Sequence, residues 1–333
     1  MSERIIKIGI VGYGNLGKGV EKALSRNEDF RLEAIFTRRD PAQVGVDDYE
    51  RKSASKLVPL SKVHSYVGKI EVMILCGGSA MDLPEQGPAL AALFNTVDSF
   101  DNHARIPAYF DEIDKVAREA KTVSLISAGW DPGLFSLNRL LFASVLPAGR
   151  SYTFWGEGVS QGHSDAIRRV EGVRDGIQYT VPVKEALERI RRGDNPQLAA
   201  AEKHRRICYI VPEEGADLKM IESSIKNMPA YFAGYETEVH FISAEELKRD
   251  HTGMPHGGMV IGTGTTGAGH RQRIEFGLTL ESNPEFTGSI LVAYARAVHR
   301  LAKEGRTGAL TVFDIPFGYL SPCPADQLRK ELL

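Results

Sequence analysis

The sequence predicts an α/β protein in which a doubly wound parallel-sheet domain is followed by an α+β domain, and three observations lead there. Residues 4–17, RIIKIGIVGYGNLG, pass from a β-branched apolar segment into Gly12-x-Gly14-x-x-Gly17, after which Leu16, Val20, Ala23 and Leu24 keep helical spacing. Strand-like and helix-like segments then alternate as far as residue 127. Beyond about residue 148 the pattern changes to aromatic and β-branched stretches with helices between them.

The strand, glycine turn and helix at the N-terminus form the Rossmann phosphate-binding pattern. The first glycine makes the tight turn, the second lets backbone N–H groups approach a pyrophosphate, and the third lets helix and strand pack closely. A glycine turn can also be ligand-free, but here a second strand, 32–36, follows at the expected interval. An acid about 20 residues past the last glycine would hold the ribose 2′-hydroxyl of NAD. This chain has Thr37, Arg38 and Arg39 there. A hydroxyl and two guanidiniums suit a 2′-phosphate, which a carboxylate would repel, so the expected cofactor is NADP. The bland alternative is a solvated arginine pair on a surface turn.

Residues 42–69 read as polar and irregular apart from a short strand at 57–60. A buried-type strand, 70–76, ends in a second small-residue turn, Cys76-Gly77-Gly78-Ser79-Ala80. Helix 84–95, strand 96–100, helix 106–121 and strand 122–127 complete the alternation. In the second domain SYTFW, IQYTVPV, ICYIVP, TEVHFI, MVIGT and RIEFGLTLE read as strands, with helices at 184–193 and 214–227. One open sheet covered by helices on one face is expected. An apolar helix, 289–303, and a Pro-rich C-terminal segment are expected to pack back on the first domain. The domains are therefore 1–148 with 289–333, and 149–288.

The 41 basic and 43 acidic residues nearly balance, so no global field attracts nucleic acid or an anionic membrane. The N-terminal apolar run is a strand rather than a signal peptide, and no uncharged apolar stretch reaches membrane-spanning length. Three widely spaced cysteines fit a reducing cytoplasm and neither a disulfide framework nor a zinc site.

Ligands of doubly wound sheets bind past the carboxyl ends of the strands. One such end carries Asp98-Ser99-Phe100-Asp101-Asn102-His103, and another Ala128-Gly129-Trp130-Asp131-Pro132-Gly133, where Pro132 suits the first turn of a helix. Either acid alone reads as a helix cap. Two of them at the edge of a cofactor cleft read as a cation-binding pair. The second domain contributes Phe154-Trp155-Gly156, Ser160-Gln161-Gly162-His163 and His251 to Gly258. His251 and His256 lack a third ligand, so no metal is expected.

Taken in order, GIVGYGNLG, FTRRDP, CGGSA, DLPEQ, DSFDNH, GWDPG, FWG, SQGHSDA, QYT, MPHGG and LVAYARA make the chain resemble the meso-diaminopimelate D-dehydrogenase family over almost its full length. Met81 stands where the family pattern has Thr. The resemblance implies NADP-dependent oxidative deamination of the D-centre of meso-2,6-diaminopimelate, in a homodimer whose second domain binds substrate and forms the interface. It implies that Tyr13 to Leu16, Thr37 to Arg39, Cys76 to Ser79, Ser99 to Asp101 and Ala128 to Pro132 contact NADP. Asp101, Trp130, Asp131, Trp155, Gln161 and Gly162 surround the reacting end, and Thr180, Arg206, His256 and Asn283 the distal L-amino acid end. The chemistry agrees with those residue types. Hydride leaves carbon only when the amine lone pair is free, so the ammonium must first lose a proton. Asp101 and Asp131 are the expected acceptors, His163 a weaker one, and Trp130 and Trp155 shape the pocket. Another NADP-dependent ketone or imine reductase would share the first domain without requiring the paired acids and Arg206, and an NADP-sensing module would lack convergent polar groups.

Overall fold

The computed structural model describes residues 5–44 and 57–333, so part of the irregular stretch read at 42–69 lies outside it. The chain divides into two units, Met1–Leu137 with Pro284–Leu333, and Asn138–Asn283. The junctions read from the sequence, 148/149 and 288/289, lie slightly further along the chain.

The first unit opens with β1 (Ile6–Val11), α1 (Asn15–Leu24), β2 (Phe30–Thr37), β3 (Leu57–Pro59), β4 (Val72–Leu75), α2 (Leu83–Ala91), β5 (Asn95–Asp98), α3 (Ile106–Ala120) and β6 (Val123–Leu125). β1 and β4 are almost wholly buried, as expected of Ile- and Val-rich parallel strands covered on both faces. α1 turns Gly17, Val20, Ala23 and Leu24 inward. A core joins Phe36, Met73, Leu75, Leu90, Phe100, Tyr109 and Ile113 across β2, β4, α2 and α3.

After α4 (Leu134–Val145), which spans the unit boundary, come β7 (Arg150–Trp155), β8 (Gly158–Val159), α5 (Gln161–Ile167), β9 (Val173–Pro182), α6 (Lys184–Arg191), α7 (Ala200–Lys203), β10 (His204–Pro212), α8 (Leu218–Lys226), β11 (Thr237–Phe241), α9 (Ala244–Asp250), β12 (His256–Thr266) and β13 (His270–Leu280). Among the described residues these strands form two sheets, β11-β10-β9-β8 and β13-β12-β7, where one was expected. The split falls at Gly156, whose φ of 105° turns the chain: β7 stays with β12, while β8 joins β9. Two cores follow, one around Ile167, Ile210, Ile221 and Phe232, the other around Tyr152, Phe154, Leu187 and Ile261.

The chain then re-enters the first unit through α10 (Asn283–Lys303), β14 (Gly308–Leu310) and α11 (Ala325–Leu332). α10 starts at Asn283, earlier than its apolar pattern suggested. Its Arg296, 2% exposed, holds Asp29 and Asn27 with hydrogen bonds of 2.9 Å each. β14 pairs in parallel with β6 and completes a seven-stranded sheet of order β3-β2-β1-β4-β5-β6-β14. Among the described residues no helix is long and apolar enough to cross a membrane.

Candidate active site

Strand order reverses between β1 and β4, which pair in parallel at the centre of the sheet. Their carboxyl ends therefore flank the crevice where doubly wound sheets bind ligands. The glycine turn sits there. Gly12 has φ 93°, and a Cβ on Gly17 would stand 2.1 Å from the Gly12 carbonyl oxygen, so neither position tolerates a side chain. Gly14 caps α1, faces open space, and no acid follows in the first turn. The peptide groups of Asn15, Leu16 and Gly17 thus present a positive helix end suited to an anion. Tyr13 turns its side chain into the core, where its hydroxyl donates to Glu21 at 2.5 Å; only its backbone is left to meet a ligand.

The end of β2 is basic, and its arginines are already organised. Buried Thr37 accepts the Arg39 N–H at 3.1 Å, and the Arg39 guanidinium donates to the Tyr13 carbonyl at 2.7 Å, tying β2 to the glycine turn. Arg38 pairs with Asp82 at 2.7 Å, and Asp82 also accepts the Gly78 N–H at 2.9 Å. The turn Cys76, Gly77, Gly78, Ser79 is thereby linked to Arg38. Burial pushes the Cys76 thiol far up, so it is no thiolate nucleophile. Met81, the departure from the family pattern, is 78% exposed.

β5 and β6 lie side by side and parallel, which places the turns after them next to each other. Asp101 is exposed, and its N–H donates to Ser79 Oγ at 3.0 Å. Trp130 is buried edge-to-face against Phe135, with ring centroids 5.2 Å apart, and Asp131 is half-buried. Pro132 is not in the first turn of a helix, as its sequence position suggested. α4 starts at Leu134, and Pro132 belongs to the tight turn closed by the Trp130–Gly133 bridge. Ser99 is half-buried, while Phe100 and Ala128 are buried.

In the second unit, cross-strand pairing gathers the residues expected at the distal end. Thr180 pairs with Arg206 on β10 and with Gly158 on β8, and a Cβ on Gly158 would lie 2.7 Å from the His256 ring. Arg206 is 8% exposed; its guanidinium donates to Thr180 Oγ1 and lies 4.3 Å from the Tyr235 ring centroid, while its Nε is buried without a partner. Burial pulls its pKa down, and the groups that oppose this are Tyr235 and Cys208, not a carboxylate. Burial also lowers the pKa of His256. The Asn283 N–H donates to the Met254 carbonyl at 3.0 Å, and exposed Gln161, beside exposed Gly162, reaches Met254 Sδ at 3.1 Å.

Half-buried Trp155 donates its backbone N–H to His204 Nε2 at 2.9 Å, and its ring stacks on that imidazole at 5.1 Å. His163 bonds Ser160 Oγ at 2.7 Å and packs edge-to-face on Tyr231 and Phe232. Burial, aided by the charge of Arg206, pushes its pKa down to about 4. It is therefore neutral at neutral pH, and its contacts fix the start of α5. Gln178, Tyr235 and His204 stand beside these residues without a sequence motif that marks them. Gln178 lies fully buried beside Thr180, with Oε1 unpartnered. In IQYTV the apolar alternation suggests Ile177 and Tyr179 as the inward side, whereas β9 buries Gln178 and Thr180. Polar residues on a buried strand face were the available signal.

The sheet order, glycine turn and strand-end acids define a Rossmann-type oxidoreductase with a separate second unit. Residues 129–282 match the family described as Diaminopimelic acid dehydrogenase C-terminal domain. The meso-diaminopimelate D-dehydrogenase of Ureibacillus thermosphaericus is 61% identical over 98% of this chain and 99% of its own. The structure of Corynebacterium glutamicum DAP dehydrogenase in complex with DAP is 43% identical and superposes with a TM-score of 0.90 over 100% of both chains. An engineered D-amino acid dehydrogenase bound to NADP+ is 41% identical, with a TM-score of 0.86 over 99% of this chain and 100% of its own. The chain belongs to the meso-diaminopimelate D-dehydrogenase family.

Proposed function

We propose that this chain catalyses the NADP-dependent oxidative deamination of the D-centre of meso-2,6-diaminopimelate to L-2-amino-6-oxopimelate and ammonium, with reductive amination as the reverse, in lysine biosynthesis. Its full-length relatives carry that name, and an NADP+-bound relative shares its fold. The residues present fit the cofactor. Side-chain-free positions at Gly12, Gly14 and Gly17, an acid-free helix start and the basic end of β2 match a pyrophosphate and a 2′-phosphate. NADP, when bound, supplies the hydride acceptor.

Water attacks the iminium left on the substrate and supplies the keto oxygen, and the chain's own residues do the rest. Asp101 and Asp131 hold the substrate ammonium and take the proton that frees its lone pair, directly or through a water. Trp130 and Trp155 wall the reacting end, with Gln161 and Gly162. Arg206, Thr180, His256 and Asn283 take the distal carboxylate and amine. The observation that carries the substrate class is Arg206, a buried cation whose Nε has no partner and whose charge no carboxylate among the described residues neutralises. Burying such a group is costly unless a ligand anion completes it. The assembly is read as a homodimer formed through the second unit, working in the cytoplasm.

A panel of amino acids offered with NADP or NAD, followed by absorbance of the reduced nicotinamide, tests the proposal. meso-Diaminopimelate with NADP should be the preferred combination. Absence of its oxidation would overturn the reading.

A further inference from the structure

Asp98 ends β5, is 1% exposed, and has no part in the roles assigned above. Its Oδ1 accepts two backbone N–H groups at 2.9 Å each, from Phe100 in the turn that leads to Asp101 and from Ser127 in the turn that leads to Trp130 and Asp131. Its Oδ2 accepts the Tyr109 hydroxyl at 2.8 Å, and its own carbonyl accepts the Ala128 N–H at 2.8 Å.

The surroundings are built for this arrangement. Tyr109 stacks on Phe100 with centroids 4.2 Å apart, and Gly87 on α2 leaves room for its hydroxyl, since a Cβ there would stand 2.1 Å from the oxygen. Ser127 holds φ 57°, a left-handed conformation unfavourable for a residue with a side chain, at the point where its N–H meets Asp98. Burial pushes the carboxyl up to about 6 against the three hydrogen bonds that lower it. A buried carboxylate is an expensive way to satisfy two N–H groups. What an apolar residue cannot do is bond both turns through one atom and so fix them relative to each other.

We propose that Asp98 is a positioning residue whose Oδ1 clamps together the two strand-end turns that present Asp101 and Trp130–Asp131, so that turnover depends on it more than cofactor binding does. This rests on the proposed dehydrogenase function. A displacement of reacting groups by ~1 Å costs about 10²-fold in rate. Asparagine preserves the clamp, because its carbonyl oxygen accepts both N–H groups and its NH2 donates to a reoriented Tyr109 hydroxyl. Alanine removes it.

The test compares wild type, Asp98→Ala and Asp98→Asn, with NADP affinity and site number from calorimetry and kcat for meso-diaminopimelate counted per NADP-binding site. Expected are a fall of about 10²-fold in kcat for Asp98→Ala with NADP affinity changed less than about fivefold, and recovery to within about threefold of wild type in Asp98→Asn. The inference is overturned if Asp98→Ala turns over like wild type per binding site, or if Asp98→Asn loses about tenfold or more in kcat. Should the alanine variant fail to fold, the asparagine variant decides by the same threshold. A wild-type protein inactive on meso-diaminopimelate would refute the functional reading instead, which separates the two failures.

Discussion

Replacing Arg206 by Met should separate substrate recognition from folding. The guanidinium already gives one N–H to Thr180 and bonds Tyr235, while its Nε has no partner, which leaves one N–H for a carboxylate. Charge-assisted hydrogen bonds contribute about 1.5–3 kcal/mol each, so that N–H is worth roughly 1.5–3 kcal/mol to a distal carboxylate. Methionine fills similar volume and avoids the desolvated cation, which places the net loss near the lower end. At 1.4 kcal/mol per tenfold, about 1.5 kcal/mol is ~10-fold in kcat/KM for meso-diaminopimelate. A simple D-amino acid without a second polar end should change little, so the advantage of diaminopimelate narrows by about tenfold. Turnover should fall along with the rise in KM, because remote binding also positions the reacting carbon. The ligand-free protein should melt no lower than wild type, since an unpaired buried charge has been removed. The assay is steady-state kinetics on both substrates, with thermal melts alongside. Equal losses on both substrates, or an unchanged ratio with a lowered melting temperature, would make Arg206 a structural residue.

Three further outcomes are expected. Arg38→Ala with Arg39→Ala should raise the KM for NADP at least about tenfold and leave that for NAD within about threefold, Arg38 being discounted for its 67% exposure; equal losses would sink the 2′-phosphate assignment. Asp131→Asn should retain NADP binding by calorimetry but lower kcat about 10²-fold or more, as an amide neither attracts an ammonium nor accepts its proton; near wild-type turnover would show that another group does both. Asp98, whose pKa rises on folding from 3.8 to about 6, binds its proton more tightly in the folded than in the unfolded state. Its contribution to stability is thus intact below pH ~4 and declines as pH rises to ~6, by roughly 3 kcal/mol. Asp98→Asn should therefore gain stability relative to wild type between pH 4 and 7 in urea titrations, and a constant difference would contradict the shift.

The first unit was legible because its signals are local. The glycines, the apolar runs of β1 and β4 and the arginines after β2 each declare themselves within a few residues. β14 was not, since Gly308-Ala309-Leu310 is short and lacks β-branched residues; it is a strand only because β6 offers an edge. The split of the second unit into two sheets depends on one turn at Gly156 and on non-local pairing, which alternation of side chains does not encode. Asp101 and Asp131 were legible as strand-end acids, but Asp98 was not distinguished from them. Its partners lie 2, 11 and 29 residues away and meet only in the fold. Likewise Tyr235 comes to Arg206 through tertiary packing.

In the proposed reaction the D-carbon of meso-diaminopimelate gives its hydride to NADP. Diaminopimelate deuterated at both α-carbons, incubated with the protein and NADP, tests it by mass analysis of the reduced cofactor and of the oxopimelate product. One deuterium in NADPH and retention of the label at the L-carbon are expected, with L,L-diaminopimelate nearly inert. Loss of the label from the L-carbon, or equal consumption of the L,L isomer, would contradict the proposed reaction.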